Sequence, residues 1–355
     1  MKGMGCTRSR GGERRSAPRQ NVKGGPHLNQ SAVAVFRYEP DQIEADLKVA
    51  FDSLHWRDYI KTDTKVFIKP NFTLPFPKPG VTTSTKLVEA ALSILRTRTS
   101  EVFVGESDGG YASFAADYSL RNHGIPEICT RTGSTMLNLS AMERTRVSER
   151  VNGKSVEVTL PRVLLDMDES LSMPVLKVHV VTGVSLSLKN MWGCHPDTLR
   201  LLDHTNLSER LALIARSIHL RFAVVDGIYG LDRRGPMNGD PVKVGAVLVG
   251  NNPVATDATA TRLMGFRAEK IGHIITASKA GLGPYGQNEI KVMGDLGRFQ
   301  QHFHLKPTIV DRLGSLTFRS DLLTKLVFDS PITRPIYAVA GREYRRKIRD
   351  PGDEL

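Results

Sequence analysis

Hydrophobic positions along the chain follow two periods, one typical of buried strands and the other of amphipathic helices. Short apolar runs predict strands at residues 33–38, 65–70, 101–107, 221–227 and 244–250, with a weaker strand near 135–139. Apolar residues at helical spacing predict helices at residues 41–54, 84–95, 113–123 and 253–265. Because the two kinds of segment alternate, the pattern predicts an α/β fold with a mainly parallel sheet flanked by helices.

Residues 146–160 depart from this alternation and predict an antiparallel hairpin. Polar and apolar side chains alternate there around Asn152-Gly153, a pair that favours a type I′ turn. The hairpin falls in an insertion near residues 135–165, and whether the α/β domain (31–300) divides into two lobes stays open. Residues 301–355 are predicted to form a C-terminal helical extension.

Composition changes the picture at the N-terminus. Residues 1–30 carry seven Lys or Arg side chains against one Glu, among many Gly, Ser and Pro residues. Such a segment buries too little apolar surface to fold alone, so it is predicted to be a disordered basic arm. Because the arm holds about half of the net charge of +12, nucleic acid is not expected as a partner.

The chain is expected to be cytoplasmic and to have no membrane partner. It contains no apolar run near the ~18 residues of a transmembrane helix, and its basic N-terminus lacks the apolar stretch of a secretory signal. Its three cysteines, Cys6, Cys129 and Cys194, lie far apart and form no C-x-x-C pair, which predicts no iron–sulphur cluster in this chain. Homo-oligomerisation is left open.

Polar side chains gather where the predicted strands end, and open α/β sheets bind their ligands beyond those ends. Lys177 and His179, two positions apart in an extended segment, point to one side and can present an ammonium and an imidazole to one ligand. With Lys189, His204 and Asp226 they form the predicted catalytic set. The predicted substrate-binding set is Lys69, Asn71, Ser107, Asp108, Asn190, Arg233 and Arg234.

These residue types suit an anionic ligand that undergoes proton transfer. Neighbouring Lys and His side chains can hold a carboxylate or phosphate and tune each other's pKa, and the Arg233-Arg234 pair can add forked hydrogen bonds. Each residue also has a structural interpretation, because a lysine after a strand is commonly solvated and Asp226 before a glycine can form an Asx turn. Cys194 and His195 are adjacent, so their side chains diverge and no thiol–imidazole pair is expected.

Several segments, in this order, resemble domain-of-unknown-function family 362. Running from about residue 65 to 286, they are "VFIKPN", "PGVTTSTKLVEAAL", "EVFVGESDGG", "PVLKVHVVTGVSLSLKNMWGCHP", "FAVVDGIYG", "GPMNGDPVKVGAVLVGNNPVATDATATRLMG" and "AGLGPYG". Many members are described as iron–sulphur-centre proteins, but this chain lacks their cysteine-rich segment, so the resemblance implies no cluster here. Asp232-Arg233-Arg234 replaces a small, Gly-containing stretch of the relatives, which implies a ligand or a specificity of its own.

The leading hypothesis is a cytoplasmic enzyme with redox-neutral acid–base or covalent chemistry on a small carboxylated or phosphorylated metabolite. A lyase, isomerase or transferase is expected, acting as a tailoring step of biosynthesis and using no cofactor, since no nucleotide-binding motif occurs. One alternative is a divalent-metal enzyme that uses Asp226, Asp257 and His204 as ligands. The other is a non-catalytic redox-accessory or binding protein.

Overall fold

The computed structural model describes residues 30–331 and residue 333. Apart from Gln30, the predicted basic arm (1–30) lies outside these residues, as do residues 332 and 334–355 of the predicted C-terminal extension. The strands are β1 (Ala32–Arg37), β2 (Val66–Pro70), β3 (Val102–Glu106), β4 (Thr135–Asn138), β5 (Arg144–Val151), β6 (Lys154–Pro161), β7 (Glu169–Met173), β8 (Val175–His179), β9 (Gly183–Ser185), β10 (Leu220–Asp232), β11 (Asp240–Gly250) and β12 (Lys291–Met293). The helices are α1 (Ile43–Ser53), α2 (Thr85–Arg96), α3 (Ala116–Asn122), α4 (Ile125–Thr132), α5 (Arg162–Leu165), α6 (Ser187–Asn190), α7 (Leu207–Ser217), α8 (Pro253–Leu263), α9 (Gly272–Lys279), α10 (Ile309–Thr317) and α11 (Asp321–Phe328).

The main sheet has the strand order β12-β1-β11-β10-β7-β2-β3-β4, and β8 and β9 extend it beside β10. Strands β10, β7, β2, β3 and β4 are parallel to their neighbours in this series. Strand β11 is antiparallel to β10, because residues 233–239 are too few for the crossover that a parallel pair requires, and it is also antiparallel to β1 on its other side. The predicted α/β class, with a mainly parallel sheet, flanking helices and helices near the C-terminus, is confirmed.

Helices cover both faces of the sheet. On β2, Val66 and Ile68 pack into the core under α1, α2 and α4, whereas Phe67 between them packs into the core shared with α7, α8 and α9. This alternation follows from the two-residue period of a strand, and covering both faces explains why the strand is apolar throughout. On β2 and β3, polar residues are therefore confined to the strand ends, where Lys69 and Glu106 lie.

The hairpin predicted at residues 146–160 is confirmed. Strands β5 and β6 pair antiparallel from Arg144 opposite Pro161 to Val151 opposite Lys154. Asn152 and Gly153 between them have φ angles of 47° and 85°, and these positive values are those of a type I′ turn.

Within the described part of the chain, no helix has both the length and the apolar composition needed to span a membrane.

Candidate active site

A cavity of about 470 Å³ lies at the carboxyl ends of β2 and β3, beside β8 and α6. Its position follows the rule for open α/β sheets, whose ligands bind beyond the carboxyl ends of the strands. The charged and histidine side chains that line it are Lys69, Glu106, Lys177, His179, Lys189 and Arg200. Glu106 is the one carboxylate among these lining residues, so the cavity is strongly cationic.

A buried ion pair joins the ends of β2 and β3. The ammonium of Lys69 contacts a carboxylate oxygen of Glu106, and both side chains are nearly inaccessible, at 1% and 7% exposure. The same carboxylate accepts the backbone N–H groups of Phe72 (3.0 Å) and Ser107 (3.1 Å). Gly193 approaches so closely that a Cβ there would lie 3.0 Å from the Lys69 ammonium. This pair therefore fixes one wall of the cavity.

An amide network fixes a second wall. The side-chain amide of Asn71 donates to the Asn190 carbonyl oxygen (3.0 Å), and Asn190 donates to the backbone carbonyl of Lys69 (3.0 Å). Lys177 donates to the side-chain oxygen of Asn71 and to the backbone carbonyl of Val81, both at 2.9 Å. Burial and the charge of Lys189 lower the pKa of Lys177 to about 7. Three predicted site residues thus act as one hydrogen-bonded unit.

Lys189 is carried by the short helix α6, whose start is held by a buried carboxylate. The N–H groups of Ser187 (2.7 Å) and Leu188 (2.9 Å) donate to Asp257, which is fully buried on α8. These are unpaired first-turn donors of the helix, and an acceptor there fixes its direction. Burial and the charge of Arg200 lower the pKa of Lys189 to about 8. Asp257 therefore acts on the site by positioning Lys189.

Arg200 reaches the cavity from the segment after α6. Its Nη1 donates to the backbone carbonyls of Asp108 (3.0 Å), Asp197 (3.2 Å) and His195 (3.4 Å). Within residues 30–331, Nε and Nη2 have no protein acceptor. These are the two donors through which a guanidinium makes paired hydrogen bonds to a carboxylate or phosphate.

His179 stands at the end of β8 as a neutral imidazole. Its Nδ1 accepts the backbone N–H of Val181 at 3.1 Å, which places the ring proton on Nε2. Burial, followed by the charge of Lys189, lowers the pKa of His179 well below its ordinary value. An anion bound in the cavity would offset that charge and raise the basicity of the ring.

A further histidine, His273 on α9, lies behind Lys189 and was not among the predicted residues. Its ring is buried, and neither ring nitrogen has a hydrogen-bond partner in the described structure. Burial, and secondarily Lys189, lower its pKa to about 3. The ring is therefore neutral at physiological pH.

Replacing His273 by Leu should make folding stability less sensitive to acid. Below pH 6.5 the unfolded chain takes up a proton that the folded ring excludes, so wild-type stability falls as pH drops from about 6.5 towards 3. At pH 5 this exclusion of a proton lowers the stability of the wild type by about 2 kcal/mol. Between pH 7 and pH 5 the variant should therefore lose about 2 kcal/mol less stability than the wild type. Urea unfolding at the two pH values measures it, with the exposed His302→Leu as control. Equal pH dependence in wild type and His273→Leu would contradict the assignment.

Seven of the predicted site residues line the cavity, and five do not. The lining residues are Lys69, Asn71, Ser107, Lys177, His179, Lys189 and Asn190. Arg233 and Arg234 are exposed and pair with Asp240 (2.8 Å) and Asp311 (3.0 Å), so the forked clamp predicted for them lies outside this cavity.

Asp226, Asp108 and His204 are the other three that the cavity excludes. Asp226, predicted to be catalytic, accepts the backbone N–H groups of Ser84 (2.7 Å) and Ile228 (3.0 Å). Asp108 accepts the N–H that begins α3, at 2.8 Å. His204 packs its ring edge-on against Trp192, with 5.4 Å between ring centroids. These contacts are structural.

The three ligands of the alternative metal site, Asp226, Asp257 and His204, do not lie together in the structure. Asp226 and Asp257 bind backbone N–H groups in different parts of the fold. Across residues 30–331, no three or more His, Cys, Asp or Glu side chains are grouped as metal ligands.

Glu106 and Arg200 also line the cavity, although neither is among the residues predicted from the sequence. Glu106 is the last residue of its strand, and its position at a strand end was a usable signal. Arg200 lies in a short 3-10 turn, Arg200–Asp203, and no periodicity marks it. Cys194 is buried, and burial raises the pKa of its thiol to about 12, which agrees with the expectation that it is not a nucleophile.

Fold and site together define an α/β protein with a cationic cavity at the ends of parallel strands. The chain belongs to the family described as Domain of unknown function (DUF362), which matches residues 66–262 and confirms the resemblance found in the sequence. A thylakoid-associated protein of Synechocystis sp. is 24% identical over 263 residues, covering 70% of this chain and 78% of the relative. The lactate racemase apoprotein of Thermoanaerobacterium thermosaccharolyticum matches with a TM-score of 0.39 and 10% identity, over 72% of this chain and 58% of that chain.

Proposed function

We propose that this protein is an enzyme that carries out redox-neutral acid–base or covalent chemistry on a small anionic metabolite. The observation that carries the proposal is the cavity lining, in which three lysines and one arginine face a single carboxylate. That carboxylate, Glu106, is already neutralised by Lys69, so Arg200 and the protonated forms of Lys189 and Lys177 leave an excess of positive charge. A carboxylated or phosphorylated ligand is the natural counter-charge for such a pocket.

In the proposed reaction, the cations hold the anionic group and His179 moves the proton. Arg200 binds the carboxylate or phosphate through its two free nitrogen donors, while Lys177 keeps the Asn71–Asn190 network in place. Neutralisation of the local positive charge by the ligand raises the pKa of His179 towards the range in which it exchanges protons. The proposal needs no cofactor. We further propose that the reaction takes place in the cytoplasm, as one step in making a larger product.

His179→Asn is the variant that tests the proposed proton transfer. A panel of small carboxylates and phosphate esters is incubated with the protein in D₂O and followed by NMR for deuterium incorporation or product. We expect incorporation with at least one compound and a decrease of about 100-fold or more in the variant, the range of a lost general acid–base group. The exposed His302→Asn serves as control and should retain the wild-type rate.

Thermal unfolding of the same samples separates catalysis from folding. His179→Asn should unfold within a few degrees of wild type, because the imidazole accepts one hydrogen bond and Asn can accept the same one. An unfolded variant, an unchanged rate, or a wild-type protein inert towards the whole panel would each contradict the assignment.

A further inference from the structure

Of the three lysines that line the cavity, Lys189 is the one with an uncommitted amine. Lys69 contacts Glu106 and donates to the backbone carbonyl of Pro70 (3.0 Å), and Lys177 donates to two oxygen acceptors. The Nζ of Lys189 has no hydrogen-bond or ion-pair partner among residues 30–331. Lys189 is also the most accessible of the three, at 9% exposure against 1% for each of the others.

The groups around Lys189 are either cationic or neutral. Arg200 adds positive charge, and so does Lys177 in its protonated form, although its pKa is only about 7. The rings of His179, His204 and His273, which also interact with Lys189, are neutral because their pKa values are lowered. Among the described residues, no carboxylate stabilises the protonated amine. Burial and Arg200 bring the pKa of Lys189 to about 8, so a fraction of the side chain is a neutral amine at physiological pH. A desolvated lysine beside another cation is a recognised form of activated amine nucleophile.

We propose that Lys189 is a nucleophile that forms an imine with a 2-oxo acid bearing an apolar side chain, an inference that rests on the proposed function. Arg200 and Lys189 face the same cavity, so a carboxylate held by the guanidinium brings the adjacent carbonyl to the amine. The remaining wall is largely apolar, built from Phe72, Phe114 and Met237. A cavity of about 470 Å³ has room for a substituent larger than a methyl group.

The step balances without an oxidant or a reductant. The lone pair of the neutral Lys189 amine attacks the carbonyl carbon, and His179 Nε2–H donates a hydrogen bond to the carbonyl oxygen as negative charge develops on it. One proton then moves from the positively charged amine nitrogen to that oxygen, which gives a carbinolamine and leaves His179 neutral. Expulsion of the hydroxyl group with a second nitrogen proton forms the C=N bond and releases one water molecule.

Borohydride trapping with 4-methyl-2-oxopentanoate tests the proposal. Full-length protein is incubated with the acid, reduced with sodium borohydride, digested, and mapped by mass spectrometry. We expect the mass of the reduced adduct on Lys189, and at least about 10-fold less total labelling in Lys189→Arg, which keeps the charge but has no nucleophilic amine. Labelling of Lys177 instead, or equal labelling of wild type and variant, would overturn the assignment.

Binding of 2-hydroxy-4-methylpentanoate, measured by calorimetry, separates this inference from the proposed function. This compound keeps the carboxylate and the apolar chain but has no carbonyl, so the anion site should bind it and borohydride should trap nothing. If it binds while the oxo acid leaves no adduct, the imine is refuted and the anionic pocket stands. If neither compound binds, the 2-oxo acid is refuted as the substrate class, and the panel of carboxylates and phosphate esters decides the proposed function separately.

Discussion

Replacing Glu106 by Gln should lower the free energy of unfolding by about 3–5 kcal/mol, the range for breaking one side of a buried ion pair. The loss arises because the Lys69 ammonium would stay buried with no counter-charge. A second cause is the loss of one hydrogen bond. The backbone N–H groups of Phe72 and Ser107 both donate to the carboxylate, and the amide nitrogen of Gln cannot accept either of them. Urea unfolding at neutral pH measures the change.

Two further variants test whether the loss comes from the buried charge. The double variant Lys69→Met/Glu106→Gln removes both charges and should recover part of the lost stability, because the uncompensated ammonium is gone. Glu89→Gln breaks a solvent-exposed ion pair with Arg131 and should leave the unfolding midpoint at the wild-type value. A double variant less stable than Glu106→Gln would show that the charge is not the cause.

The sequence predicted the main elements because the physical signals that define them are local. The period of apolar residues located β2 and β3 within one residue, and Asn152-Gly153 specified a turn with two positive φ angles. The reversed direction of β11 is a non-local property. It depends on the length of the connection to β10 and on pairing with β1 at the other end of the chain.

The candidate site was predictable where its residues follow strands. Lys69 and His179 lie at or next to the ends of buried strands, and Lys177 lies two residues before the end of β8 on the same side as His179. Arg200 was missed because the short 3-10 turn that carries it shows no periodicity, and His273 was missed because it lies on a helix far along the chain from the strand ends. Asp226 and Asp257 have the right residue type for a site, but each binds backbone N–H groups that another segment presents in the folded structure.

Replacing Arg200 by Met should weaken the binding of small anions by about 100-fold, because a desolvated charged hydrogen-bond donor is lost from the cavity. Nε and Nη2 are the donors that the described protein leaves free, whereas Nη1 is held by three backbone carbonyls. Arg200→Lys should show an intermediate loss, since lysine restores the charge without the fork. The exposed Arg298→Met is the matched control.

The most direct test of the cationic cavity is to measure the binding of 2-hydroxy-4-methylpentanoate by calorimetry. The proteins compared are the wild type, the Arg200 and Arg298 variants and Arg233→Met/Arg234→Met. Urea unfolding confirms that each variant is folded. Our account predicts tight binding by wild type, Arg298→Met and the Arg233/Arg234 variant. It predicts affinity about 100-fold weaker for Arg200→Met. Undiminished binding by folded Arg200→Met, or its loss from Arg233→Met/Arg234→Met, would place the anion outside the cavity and contradict the account.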